Sequence, residues 1–294
     1  MIKESLKGIK VLVRGAGDIA SGIIWNLAYA GFCLCCTEVE NPSTIRTEVA
    51  FSSAVYDGSK KLEGVECIFC NRPYGLGFAT TEIYKCFEEN KVALIIDPEL
   101  KILNEIKFDV VVDAILAKKN LGTNIDMAKL VIGVGPGFTA KKDCHVAIET
   151  MRGHNLARII EDGSPMENTG VPGIIEGCGK DRVIHSEATG IIHNKHKIGD
   201  VVKKGEVIAE IETGSASVRP YENDESVCPY EVRASIDGIL RGIIRDGYFV
   251  EKGLKIADID PRFGEYENCF TISDKARSIG GAVVVAVMRR INNL

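Results

Sequence analysis

Apolar and polar positions change rhythm twice along the chain. Through the first 140 residues, short β-rich apolar runs at 10–14, 32–38, 66–70, 92–97, 109–113 and 130–134 alternate with longer amphipathic stretches at 19–30, 45–55 and 80–89. The runs predict strands and the stretches predict helices, an alternation that builds a parallel sheet covered on both faces. The expected fold class is α/β, with a Rossmann-like doubly wound parallel sheet over residues 1–140. From 141 onward the β segments shorten and Gly, Pro, Asn and Asp separate them, which predicts a β-rich domain over 141–269. Segments 145–151 and 154–160 can pair as a hairpin across Arg152-Gly153, with helix as the alternative. Ser273 and Asp274 can cap a last helix running to about Asn292. Residues 270–294 thus form a C-terminal helix whose natural support is the first domain's sheet.

Within the β-rich domain, a single pattern is written twice at a constant 48-residue offset. Gly190-Ile191 returns as Gly238-Ile239, the turn from Gly199 to Gly205 returns from Gly247 to Gly253, and Ile208-Ala209 returns as Ile256-Ala257. The half-motifs at 190–212 and 238–260 resemble those of biotinyl and lipoyl domains, whose halves interlock as a barrel-sandwich hybrid. Such domains carry their cofactor on a lysine at the tip between the halves. No lysine occurs between Lys204 and Lys252, so neither biotin nor lipoate attachment is expected. The segment 213–233, with Pro220, Tyr221, Pro229 and Tyr230, takes the tip's place and is expected to meet a partner.

At 294 residues, with 45% apolar and 26% charged residues, the chain has room for two cores. Acidic residues outnumber basic ones by 41 to 36 and the basic doublets are scattered, which excludes nucleic acid and anionic membrane as partners. Residues 1–10 lack an apolar signal core and the apolar run 282–288 is too short to span a bilayer, so a cytoplasmic location is expected. The ten cysteines then read as free thiols. Cys33, Cys35 and Cys36 behave as small apolar side chains in one strand. Cys67 and Cys70 have redox spacing but face opposite sides of a strand. Cys178, between two glycines and ahead of Lys180 and Arg182, is the thiol most expected at the surface.

The candidate chemistry begins where the first strand meets Gly15, Gly17, Asp18 and Ala20. This is the strand, glycine turn and helix of a dinucleotide site, with Ala20 in the third glycine's place. The helix start offers free N–H groups to a phosphate. Glu38 ends the second strand, where a carboxylate can accept from ribose hydroxyls. Arg14, Glu38, Asp97, Asp113 and the Gly135-Pro136-Gly137 turn all follow or finish strands and should border one crevice. Arg14 and Arg46 can hold a further phosphate, or Arg14 can pair with Glu38 or Asp97, and Gly135 and Gly137 can form an anion nest. His145, Glu149 and His154 read as an acid/base group, with Asp113 as a further proton-transfer candidate. Their spacing matches no defined metal motif, so no metal is expected.

Several motifs in fixed order resemble the selenium-dependent molybdenum hydroxylase system proteins, the YqeB family. They are Arg14-Gly15-Ala16-Gly17-Asp18, Thr37-Glu38, Pro42, Arg46, Val112-Asp113-Ala114, the stretches 120–123 and 133–140, His145 to His154, and 168–173. The resemblance covers nearly the whole chain. It implies an accessory protein in the maturation of a molybdenum hydroxylase that carries labile selenium, with the apo-hydroxylase as partner. Combined with the glycine turn, it points to a nucleotide-type ligand, either NAD(P) or a molybdopterin dinucleotide. An NAD(P)-dependent oxidoreductase and a docking protein with a vestigial nucleotide crevice are the alternatives.

Overall fold

The first strand and its neighbours are buried on both faces, and a nine-stranded sheet explains why. In the computed structural model, which describes residues 6–70, 76–168, 170, 177–213, 229–290 and 292, the chain forms two compact units. One holds Met1–Pro42, Val49–Thr169 and Thr271–Leu294, the other Ser43–Glu48 and Gly170–Phe270.

The first unit carries β1 (Lys10–Arg14), α1 (Asp18–Ala30), β2 (Cys33–Glu38), α2 (Ala54–Asp57), β3 (Ser59–Leu62), β4 (Val65–Phe69), α3 (Leu76–Glu88), β5 (Val92–Ile96), β6 (Val110–Asp113), β7 (Leu130–Val134), β8 (Val146–Ile148) and β9 (Ile159–Ile160). The sheet order is β3-β4-β5-β2-β1-β6-β7-β8-β9. Strands β4 to β8 run parallel, while β3 and β9 close the edges antiparallel. Alternate residues feed two apolar layers. Val11 and Val13 pack with Ile23, Ile24 and Leu27 of α1 on one face, and Leu12 packs with Ala79 and Ile83 of α3 on the other. Double coverage is why these strands read as continuous apolar runs.

The last helix, α4 (Asp274–Arg289), starts where Ser273 Oγ accepts the Ala276 N–H. It lies beside α1 and runs in the same direction. A Cβ on Gly22 would fall 2.6 Å from that of Ala276, and one on Gly280 would fall 2.5 Å from the Gly22 carbonyl oxygen. Glycine at both places lets the helices touch backbone to backbone and puts their N-termini at the same end.

Two expectations shift. Residues 45–55 form no continuous helix: short 3-10 turns at Thr47–Val49 and Phe51–Ser53 lead into α2. Val49 to Ser53 are all buried, so the segment has no polar face to show solvent. Its backbone is tied instead to the glycine turn, through Ser52 N–H to the Ala16 carbonyl and Phe51 N–H to Ser21 Oγ. The boundary expected at residue 140 moves to Thr169. Strands β8 and β9 extend the same sheet as the hairpin at 145–160, and the β7-to-β8 crossover contains no helix to announce it.

The second unit is two four-stranded sheets built from β10 (Val183–His185), β11 (Gly190–Asn194), β12 (Val201–Val202), β13 (Val207–Glu212), β14 (Tyr230–Arg233), β15 (Gly238–Ile243), β16 (Phe249–Val250) and β17 (Lys255–Asp260). Their orders are β10-β17-β15-β12 and β14-β13-β11-β16. The two halves exchange their shortest strands: β12 pairs with β15 and β16 pairs with β11. A Cβ on Gly190 would lie 2.1 Å from the Glu212 carbonyl oxygen, and one on Gly238 would lie 2.3 Å from that of Asp260. The repeat is also one strand longer than the sequence shows. Strand β10 maps onto β14 at the same offset, and their pairings shift register at corresponding places, skipping Ile256 opposite Ile184 and His185 and Ile208 opposite Val232 and Arg233. These flanking strands share only a buried middle residue, Ile184 or Val232, too little to be seen as a repeat. Segment 214–228, most of the expected partner loop, and most of the motif at 168–173 lie outside the described residues. Among the described residues no helix is long and apolar enough to cross a membrane.

Candidate functional site

Because β1, β2, β5, β6, β7 and β8 are parallel, the residues that end them share the sheet's carboxyl edge. The strand order turns around β1, with β2 on one side and β6 on the other, and loops diverging from such a point leave a crevice. Gly15 holds φ 99° there, a left-handed conformation that favours glycine. Its N–H donates to the Thr37 carbonyl, and a Cβ would stand 3.2 Å from the Ala114 carbonyl oxygen. The Ala16 carbonyl accepts from Ser52 N–H and from Ser21 Oγ–H, which fixes the turn from outside the helix.

Gly17 caps α1 in an extended conformation and contributes no side-chain cap. The first-turn N–H groups therefore receive no acceptor from the cap, and the positive end of the helix dipole lies at this edge. Glu38 lies across the turn. Its Oε1 accepts Ala16 N–H at 2.9 Å and its Oε2 accepts Val39 N–H at 2.9 Å. Burial pushes its carboxyl above the usual range, against the pull of those two bonds. Ala20 is buried in the layer under α1, and Asp18 opens the helix half-buried.

A residue that no spacing rule links to the glycine turn completes the edge. Lys275, in the first turn of α4, is held below its ordinary pKa by burial and then by the Arg152 guanidinium, while Asp18, Glu149 and Asp274 pull the other way. Arg152 forks onto Asp274 at 2.8 and 2.9 Å, which pins the loop after β8 to the start of α4. Glu149 Oε1 accepts the N–H groups of Thr150 and Met151, and its Oε2 accepts that of Met166, each at 2.7 Å. It serves as a backbone clamp. The only sequence signal for Lys275 is its place just inside a Ser-capped helix.

Several candidate residues are placed differently from expectation. Arg14 is engaged by the loops of the carboxyl edge: its Nη1 reaches Asp113 Oδ2 at 3.2 Å, the Leu121 carbonyl at 3.0 Å and Thr123 Oγ1 at 3.1 Å, and its Nη2 reaches the Pro98 carbonyl at 2.9 Å. Its partner is Asp113, in place of Glu38 or Asp97, because β1 and β6 are adjacent and in register at these residues. Asp113 also accepts from Thr123 Oγ1 and Ile115 N–H. Asp97 accepts the Ile102 N–H and braces its own turn. Arg46 belongs to the second unit, where its Nη2 donates to the Asn268 carbonyl. The Gly135 N–H is spent on the Ile148 carbonyl, and a Cβ on Gly137 would lie 2.6 Å from Lys119 Cα. This turn is shaped for close packing rather than as an anion nest.

The expected acid/base group is not assembled. His145 precedes β8 at the amino edge, where its backbone N–H donates to the Val131 carbonyl and its Nδ1 accepts the Val131 N–H at 3.0 Å. Burial and then Arg290 hold its imidazole below the ordinary value, which suits a neutral acceptor. Glu149 follows β8 at the carboxyl edge, about 13 Å away at strand rise. His154 is exposed on the turn beyond. Among the described residues no three His, Cys, Asp or Glu side chains gather as metal ligands would. Cys178 is half-buried.

These elements define a mixed α/β protein with parallel and antiparallel sheets and a C-terminal helix. No family model matches the chain. It is similar to the uncharacterized protein YqeB of Escherichia coli K12, with 46% identity over 278 residues covering 95% of this chain. The chain spans about half of that relative's length, 47%. Solved structures resemble it only loosely. The ectoine utilization protein EutE (DoeB) of Ruegeria pomeroyi is 14% identical, with 85% and 84% of the two chains covered and a TM-score of 0.26. A succinylglutamate desuccinylase/aspartoacylase of Rhodobacter sphaeroides is 15% identical, with 86% of each chain covered and a TM-score of 0.29. Likeness at that level carries no argument about fold or chemistry.

Proposed function

We propose that the first unit is a Rossmann-type nucleotide-binding unit and that the chain is a cytoplasmic accessory protein in molybdenum hydroxylase maturation. Its ligand is a dinucleotide-type cofactor, NAD(P) or a molybdopterin dinucleotide, and its partner is the apo-hydroxylase. One observation carries the reading: the Gly15–Gly17 turn opens an uncapped helix end at the point where strand order turns around β1. The pyrophosphate lies against the N–H groups of α1 with Lys275 as counter-charge, and Glu38 receives ribose hydroxyls on the lone pairs its two N–H bonds leave free. The second unit, with its exchanged half-motifs, is a barrel-sandwich hybrid serving as a scaffold. The oxidoreductase alternative has less support, since His145 lies at the opposite edge and Asp113 is engaged by Arg14 and Thr123.

The test is calorimetric titration of the whole chain with nicotinamide, flavin and cytidine nucleotides, repeated on Gly17→Asp. Gly17 has φ −69°, which any residue adopts, and Asp is a good N-cap. The variant should fold at least as well as wild type while its carboxylate repels a phosphate. Binding by wild type that is lost in Gly17→Asp is the expected result. No heat with any of the three nucleotide classes would overturn the proposal.

A further inference from the structure

Cys67 and Cys70 have redox spacing but pack into different layers, Cys67 under α1 and Cys70 with α3. On its own face Cys70 meets a different thiol: Cys86, in the last turn of α3, lies Sγ to Sγ at 3.9 Å. We infer that Cys70 and Cys86 form a redox modification site, a dithiol that a hydroperoxide converts to a disulfide joining the end of β4 to α3. The sulfurs are already in van der Waals contact across a strand–helix junction.

Two further features bear on this pair. Burial pushes the thiols of Cys33, Cys36, Cys144 and Cys269 up. At Cys86 the direction reverses, because the hydrogen bond with the Cys70 thiol, helped by Lys91, outweighs burial and the opposing Glu89 and Glu82 carboxylates. The acidified member is also the more accessible one, since Cys86 is 6% exposed and Cys70 is fully buried. Nucleophile and resolving partner therefore coincide on one pair.

The Cys86 thiolate attacks the distal oxygen of the hydroperoxide, forming an S–O bond as the O–O bond breaks and the alkoxide or hydroxide leaves to take up a proton. Cys70 sulfur then attacks Cys86 sulfur. The S–S bond forms, the S–O bond breaks, and hydroxide departs as water with the Cys70 proton. Two thiols lose two electrons and the hydroperoxide is reduced to an alcohol or water, plus one water. A dithiol reductant reverses the change.

The experiment exposes the native chain to hydrogen peroxide, quenches it with N-ethylmaleimide under denaturing conditions, and measures intact mass and tryptic peptides. The expected result is two fewer alkylated cysteines than the ten present, with a peptide linking Cys70 to Cys86 that disappears after reduction. Either Cys70→Ser or Cys86→Ser should abolish that linkage, with thermal unfolding confirming that each variant is folded. Ten alkylated cysteines in peroxide-treated wild type, or a linkage between other residues, would overturn the inference whatever the variants do.

Discussion

Replacing Arg14 with methionine separates an internal strut from a ligand-binding arginine. The guanidinium serves four acceptors, and its side chain and that of Asp113 are only 9% and 3% exposed. Without it, Asp113 keeps the Thr123 hydroxyl and the Ile115 N–H but loses its counter-charge. Breaking a buried pair from one side costs about 3–5 kcal/mol. For a unit of this size that lowers the urea midpoint by about 1 M or more, with an unchanged slope. Trp25 is the chain's one tryptophan and lies on α1, so its fluorescence follows the first unit alone. This avoids treating two units as one transition. The double variant Arg14→Met with Asp113→Leu should recover most of the loss, since an apolar pair of similar volume removes the stranded charge. A single variant within about 0.5 kcal/mol of wild type, accompanied by weaker nucleotide binding, would refute the strut and restore Arg14 as a phosphate contact.

Gly190→Ala and Gly238→Ala should each destabilise the second unit by about 1–3 kcal/mol or more through overpacking, and by similar amounts, because each new Cβ strikes the equivalent carbonyl; thermal unfolding monitored by far-UV circular dichroism measures both. His145 is held below its ordinary value, so the folded state binds fewer protons than the unfolded chain. Its contribution is full above the unfolded value of about 6.5 and is lost as pH falls through the lower folded value. His145→Asn, which can still accept the Val131 N–H, should flatten the decline in Tm between pH 7 and 5, and an unchanged decline counts against the assignment. Lys275→Ala should weaken nucleotide binding by about tenfold, the equivalent of ~1.4 kcal/mol, with little change in Tm; equal affinities in calorimetry would remove Lys275 from the site.

Local periodicity made much of the fold legible. Six apolar runs became strands of the first sheet almost residue for residue, since a strand covered on both faces must be apolar throughout. The 48-residue repeat returned as paired strands and paired glycines because every copy of a half-motif meets the same crowding. The glycine turn also stood where the sequence put it, since no other residue fits Gly15 so easily. Partnerships were less legible. Arg14 and Asp113 are 99 residues apart and meet only because β1 and β6 are neighbours. Lys275 comes near Asp18 only because α4 lies along α1. His145 and Glu149, four positions apart in sequence, end at opposite edges of the sheet because a strand runs between them. By itself the sequence determined the apolar strands and the glycine turns, because those follow from local spacing and backbone freedom. Tertiary structure alone decided which charges pair, which thiols touch and which side chains share an edge, because strand order and helix docking are set by contacts distant in the chain.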